Sequence, residues 1–160
     1  LQVVLRRAYE HRGTAFVEIL QNCPVYNDDE WIEVEDKKTR VEASLRLEDG
    51  QPLVFGPPGQ RRGIRIENGI PSVMALADGQ DPVAAGVATH MERHESPAYA
   101  FALASLGRPE FPLPIGVFRA VEKATYEALV DQQVTDAVAR RGRGDLSALL
   151  HSGDTWTVES

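Results

Sequence analysis

The chain opens with apolar residues at helical spacing. Leu1, Val4, Leu5 and Ala8 recur at intervals of three and four, the spacing of one face of a helix, and they predict a helix over residues 1–12. No Ser, Thr, Asp or Asn precedes them as a cap, so the sequence is expected to begin inside a longer chain. Gly13 stands where a helix end favours a residue tolerant of positive φ. Thr14-Ala15-Phe16-Val17-Glu18-Ile19-Leu20 is short, apolar and rich in β-branched residues, and predicts a buried strand with Phe16, Val17, Ile19 and Leu20 in the core. A helix, one glycine and an apolar strand are the rhythm of an α/β sheet. In such sheets the loop leaving a strand's C-terminal end is where ligands gather. Here that loop is Gln21-Asn22-Cys23-Pro24-Val25-Tyr26-Asn27.

Alternation takes over next. Val41, Ala43, Leu45 and Leu47 alternate ahead of Asp49-Gly50, predicting a hairpin from Val41 to Phe55. A second hairpin runs from Gly63 through Asn68-Gly69 to Leu76. Between them, Gly56-Pro57-Pro58-Gly59-Gln60-Arg61-Arg62-Gly63 reads as a stiff, exposed loop. Helical segments follow at Ala98–Leu106, at 122–141 and, capped by Asp145, through Leu150. Phe111-Pro112-Leu113-Pro114 is extended, because each proline disfavours helix in the residue before it. Ile115 to Ala120 predicts a short strand or buried turn, and Thr155–Val158 closes the chain.

Composition narrows the class. The 160 residues are 42% hydrophobic and 26% charged, enough apolar content for a folded core. Seventeen basic against twenty-four acidic residues leave a net charge of −7. That argues against binding nucleic acid through a generally basic surface. No apolar run approaches the ~20 residues of a membrane span, and no signal-peptide pattern opens the chain. One cysteine forbids an internal disulfide; a cytoplasmic protein is expected. Residues 28–36 hold six acids and no base, followed by Lys37, Lys38 and Arg40, a pattern that reads as a solvated connector.

Candidate chemistry is sparse. Cys23 is either a small buried hydrophobe or a thiolate ligand or nucleophile. A nucleophile needs a base, and none is near in sequence; a structural zinc or iron–sulfur cluster needs more thiolates than this chain has. His90 and His94 stand four apart, but Met91 occupies the place that hydrolytic zinc motifs give to glutamate. They read as a solvated pair. The Gly-Pro-Pro-Gly loop with Arg61 and Arg62 lacks the strand-to-helix setting and Lys-Ser/Thr ending of a phosphate loop. Trp31, Tyr99, Phe101 and Trp156 read as packing aromatics.

The segment His11–Asn27, with its Phe/Val-rich strand running into Cys23-Pro24-Val25-Tyr26-Asn27, resembles the beta subunit of the 2-oxoacid:ferredoxin oxidoreductases. Further matches follow in order: Leu53-Val54-Phe55-Gly56 with Gly63-Ile64, Ala100–Ala104, Pro112–Arg119 and Gly153–Val158. The tail resembles the 2-oxoglutarate-using branch. The resemblance spans nearly all of this chain but about half of such a subunit, its C-terminal half. It implies an α/β fold in which residues 1–30 end a thiamine-diphosphate-binding-type sheet and residues 31–160 form an α+β C-terminal extension.

It also implies an activity: oxidative decarboxylation of a 2-oxoacid, with the acyl group passing to coenzyme A and electrons passing singly to ferredoxin. The implied cofactors are thiamine diphosphate, magnesium and a four-iron four-sulfur cluster. Three cluster cysteines lie in the first part of the family's subunit, and the fourth sits in the position matched by Cys23. The implied partners are an alpha subunit, the remaining half of the beta subunit, ferredoxin, coenzyme A and the 2-oxoacid. The family's Gly-Asp-Gly…Asn segment for magnesium and diphosphate has no match here, so no thiamine, magnesium or substrate residue is carried over. A pyruvate or indolepyruvate version of the same complex, or a non-catalytic assembly module with Cys23 merely buried, stays open at this point.

Overall fold

The computed structural model describes residues 1–154 and 156–159. In chain order its elements are α1 (Gln2–Glu10), α2 (Ile32–Glu35), α3 (Arg40–Ala43), β1 (Ser44–Leu47), β2 (Val54–Phe55), β3 (Arg62–Glu67), β4 (Ile70–Ala75), α4 (Ala98–Ala104), β5 (Leu113–Gly116), α5 (Tyr126–Arg141) and α6 (Leu146–Leu150). The mixed helix-and-strand class expected from the sequence holds. Two units divide the chain: Leu1–His11 with Ala15–Glu122, and Arg12–Thr14 with Lys123–Ser160. Among the described residues no helix is long and apolar enough to cross a membrane.

The first unit holds two sheets. β1 and β5 pair in parallel, with Leu45 opposite Pro114 and Leu47 opposite Gly116. β2, β3 and β4 form an antiparallel sheet in that order. The β3–β4 hairpin turns at Asn68 (φ 52) and Gly69 (φ 80); positive φ at both central residues is the geometry that matches strand twist, and Asn-Gly tolerates it. Alternate residues of β1 point inward: Leu45 and Leu47 join Leu53, Phe55, Ile64, Leu76, Val87, Leu103 and Leu106 in one buried cluster. The chain around Val87 is locked to it by backbone bonds, Ala88 N–H to Ile64 O (2.8 Å) and Leu53 N–H to Ala88 O (2.9 Å). Gly63 makes room there, since a Cβ on it would collide with Val87 Cγ2.

Three sequence expectations are corrected. Residues 14–20 form no strand, and Phe16 is 89% exposed; Ile19 and Leu20 are exposed as well. β-branched content suits a strand, but a strand needs a neighbour to satisfy its backbone, and no described segment of this chain pairs with it. The first hairpin is also absent. Val41 lies in α3, and although Gly50 turns with φ 75, β1 takes β5 as its partner while β2 takes β3. A turn dipeptide sets a local bend, and burial of Leu45 and Leu47 decides the pairing. Third, Phe101 and Trp156 are exposed and do not pack; Thr155 lies outside the described residues.

A buried charge anchors α1. Glu92 is 3% exposed, and Arg7 donates to both its oxygens, Nη1 to Oε2 at 2.9 Å and Nη2 to Oε1 at 2.7 Å. The Glu92 carboxylate, through this bond first, holds the Arg7 guanidinium above its ordinary pKa. Arg7→Ala would leave the buried carboxylate without its two short bonds, with Arg93 Nε 4.0 Å away. Breaking a buried pair costs about 3–5 kcal/mol; with Arg7 half-exposed, a loss of about 2–3 kcal/mol is expected. Urea unfolding should show it, with Arg6→Ala unchanged within about 0.5 kcal/mol.

The second unit carries α5 and α6. Thr125 caps α5, its hydroxyl accepting from Ala128 N–H at 3.3 Å, and Arg140 and Arg141 lie in the last turn, at the negative end of the helix dipole. The helix begins four residues later than the sequence pattern suggested because Thr125 is the cap. Asp145 caps α6 as expected, accepting from Ser147 and Ala148 N–H.

Candidate functional site at the Cys-Pro loop

Pro24 has no N–H to give and fixes the chain direction after Cys23. The loop then closes on itself. Asn27 N–H donates to Cys23 O at 2.9 Å and Tyr26 N–H to the same oxygen at 3.2 Å, while Cys23 N–H returns to Asn27 O at 3.4 Å. Side chains tie this turn to the acidic segment behind it: Asn27 Nδ2 donates to Glu30 Oε2 (3.1 Å), and Trp31 N–H donates to Asn22 Oδ1 (3.3 Å).

The acidic segment is held in turn by Arg108. Its guanidinium meets Glu33 Oε2 at 2.6 Å and donates to Glu30 O at 2.7 Å, with its carbon 6.0 Å from the centre of the Trp31 ring. The stretch read as a solvated connector is therefore partly tethered. Arg62, read as an exposed loop arginine, lies on β3, stacked 4.7 Å over the Phe55 ring and bonded to Glu42 at 2.9 Å. Glu33, Glu42, Arg62 and Arg108 line a cleft of about 500 Å³ in which each arginine already has its carboxylate.

Cys23 itself is exposed. Backbone amides of Tyr26, then Val25 and Asn27, hold its thiol below the ordinary range, because N–H donors beside sulfur favour the thiolate. Of the two bland or functional readings open to a lone cysteine, the buried hydrophobe does not fit this chain's geometry. An exposed thiol whose charged form the neighbouring amides favour fits the donor a metal cluster takes, and hydrogen bonds to such a sulfur help set a cluster's potential. Those three amides were not singled out from the sequence; the closing Cys-Pro-x-x-Asn spacing was the available signal.

The histidine pair has other work. His90 is 1% exposed, donates from Nε2 to Val117 O at 2.8 Å and sits 3.4 Å from the Tyr99 hydroxyl. His94 contacts Ser96 O through Nδ1 at 3.2 Å. The two rings lie 5.9 and 6.0 Å from Tyr99. Neither sits on a helix, so they do not share a helix face. His90 is a core residue rather than a solvated one.

Along nearly its whole length the chain is similar to a 2-oxoglutarate oxidoreductase subunit. It is 35% identical over 162 residues to the 2-oxoglutarate oxidoreductase subunit KorB of Mycobacterium tuberculosis (strain ATCC 25618 / H37Rv), a match across 99% of this chain. The chain covers 42% of that protein's length. The resemblance read from the residues is thus borne out, and the extent of the match agrees with a chain that corresponds to about half of such a subunit. No protein-family model matches the chain, and no solved structure matches it.

Proposed function

We propose that this chain is the C-terminal half of the beta subunit of a thiamine-dependent 2-oxoglutarate:ferredoxin oxidoreductase, and that Cys23 is one thiolate ligand of its four-iron four-sulfur cluster. The observation that carries the reading is the Cys-Pro loop: an exposed thiol on a closed turn, its charged form favoured by the neighbouring backbone amides, in a chain similar over 99% of its length to a 2-oxoglutarate oxidoreductase subunit.

One cysteine supplies one ligand, and the remaining thiolates belong to the rest of the subunit, as do the groups for thiamine diphosphate and magnesium. Thiamine diphosphate supplies the carbon chemistry of decarboxylation when bound, and the cluster supplies single-electron transfer. This chain's part is positional. The Cys23–Asn27 turn fixes the backbone that carries the sulfur, its amides favour the thiolate, and Asn22 and Asn27 tie the turn to the acidic segment that Arg108 holds. The exposed apolar stretch 14–20 suits a strand completed by neighbours in the whole subunit, so that residues 1–30 end the thiamine-binding sheet and residues 31–160 form the extension that meets the alpha subunit. The acidic segment 28–36 disfavours docking of an acidic ferredoxin at this face. The complex works in the cytoplasm, with no membrane or nucleic-acid partner.

The full subunit, purified with its alpha subunit, is expected to reduce ferredoxin with 2-oxoglutarate and coenzyme A, and to do so at least about tenfold less efficiently with pyruvate or indolepyruvate, a gap of about 1.4 kcal/mol. Preference for either of those acids would reassign the substrate within the same class. Lack of turnover with all three would favour a non-catalytic assembly module.

A further inference from the structure

Both flanks of the Cys23 turn are bonded to two adjacent residues of the acidic segment. Ahead of the cysteine, Asn22 Oδ1 accepts from Trp31 N–H at 3.3 Å; behind it, Asn27 Nδ2 donates to Glu30 Oε2 at 3.1 Å. Residues 30 and 31 are thus the footing of the turn. The same two residues are gripped from a distant part of the chain. Arg108 Nη2 donates to Glu30 O at 2.7 Å, and its guanidinium carbon lies 6.0 Å from the Trp31 ring centre. Its Nη1 meets Glu33 Oε2 at 2.6 Å.

The footing needs an outside hold. Residues 28–36 carry six acids and no base, and like charges repel. Thr39 and Arg40 bond the carbonyls of Glu33, Val34 and Glu35, on the side away from the turn. Among the described residues, Arg108 alone reaches residues 21–36 with side-chain hydrogen bonds from beyond residue 44. Arg108 is itself well anchored. It stands between Leu106, in the buried cluster, and Phe111, which packs against that cluster and donates its N–H to Gly107 O at 3.0 Å. Arginine suits the place because its planar fork reaches a carboxylate and a carbonyl at once, where lysine offers a point charge.

We propose that Arg108 is the positioning residue of the Cys-Pro turn: by gripping Glu30 and Trp31 it steadies both flanks of Cys23, and so sets how firmly Cys23 keeps its cluster. The inference rests on the reading of Cys23 as a cluster ligand. Without the guanidinium, the carboxylates of Glu30 and Glu33 spread apart, and the two asparagine bonds tie the turn to nothing fixed. The sulfur then samples several positions and leaves iron more readily.

The test uses the full subunit co-purified with its partner under anaerobic conditions. In Arg108→Ala, amide hydrogen exchange over residues 21–31 should quicken at least about fivefold, while peptides holding Leu45 and Ile64 stay as in the wild type. Loss to a chelator of the iron that Cys23→Ser lacks should quicken at least about threefold, and the reduced cluster's paramagnetic resonance should broaden. Arg108→Lys keeps the charge but not the fork, and should show the same pattern at about half the size. Arg65→Ala removes an arginine bonded to Ala85 O and Glu67, away from the turn, and should change none of the three. Unchanged exchange over residues 21–31 in both Arg108 variants overturns the proposal. So does quickening that spreads equally to the Leu45 and Ile64 peptides in both, and so does unchanged iron loss from a loosened turn. If Cys23→Ser keeps its full iron, the ligand reading falls and the effect on iron falls with it; exchange over residues 21–31 still decides whether Arg108 holds the turn.

Discussion

Cys23→Ser in the full subunit is expected to remove the visible absorbance of one iron–sulfur cluster and to lower 2-oxoacid-dependent electron output by about tenfold or more. The expectation rests on the loop rather than on the cysteine alone. The turn closed by Asn27 N–H to Cys23 O at 2.9 Å fixes the backbone that carries the sulfur, and the amides of Tyr26, Val25 and Asn27 favour its charged form. Serine keeps the turn and the size of the side chain but replaces thiolate with a hydroxyl that iron binds poorly at neutral pH. Gel filtration of the variant complex separates loss of the cluster from loss of subunit assembly. If colour, iron content and turnover all survive the substitution, Cys23 is no ligand.

Gly116→Ala is expected to cost about 3–5 kcal/mol of stability, a large share of what a domain has. Gly116 has φ 145, outside what a side chain tolerates, and a Cβ there would stand 2.5 Å from Leu47 O and 3.0 Å from Leu47 Cβ. Because Leu47 is its register partner across the β1–β5 pair, the collision is with backbone and cannot be relieved by a rotamer. The pair would have to part, and Leu45 and Leu47 would leave the core with it. Gly107→Ala, where a Cβ meets open space, should change stability by less than about 0.5 kcal/mol. Denaturant unfolding of the two variants compares strain and collision at one glycine with neither at the other.

What the sequence allowed one to read was largely local. Asn68-Gly69 announces its hairpin because both residues must take positive φ, and Asp145 announces α6 because its carboxylate accepts from Ser147 and Ala148 N–H. Pairings distant in sequence were hidden. Nothing in Ser44–Leu47 names Leu113–Gly116 as its partner; the pattern shows only that alternate residues will be buried, and Asp49-Gly50 suggested a nearer partner. The stretch 14–20 failed for a related reason. Its residues suit a strand, but strand formation depends on neighbours, and this chain offers none among the described residues. The site was legible as Cys-Pro and no further: the lone thiol gained a role from the resemblance, and its exposure and its amide surroundings came from the fold. The Arg7–Glu92 pair, 85 residues apart in sequence, left no pattern to read.

The most direct test of the proposed function is anaerobic electron paramagnetic resonance of the purified complex, frozen before and after 2-oxoglutarate and coenzyme A are added. The expected result is a reduced four-iron cluster signal that appears only with substrate and is missing in Cys23→Ser. A wild-type complex that contains no iron, or whose cluster stays oxidised with 2-oxoglutarate, pyruvate and indolepyruvate alike, would contradict the assignment of this chain to a 2-oxoacid:ferredoxin oxidoreductase.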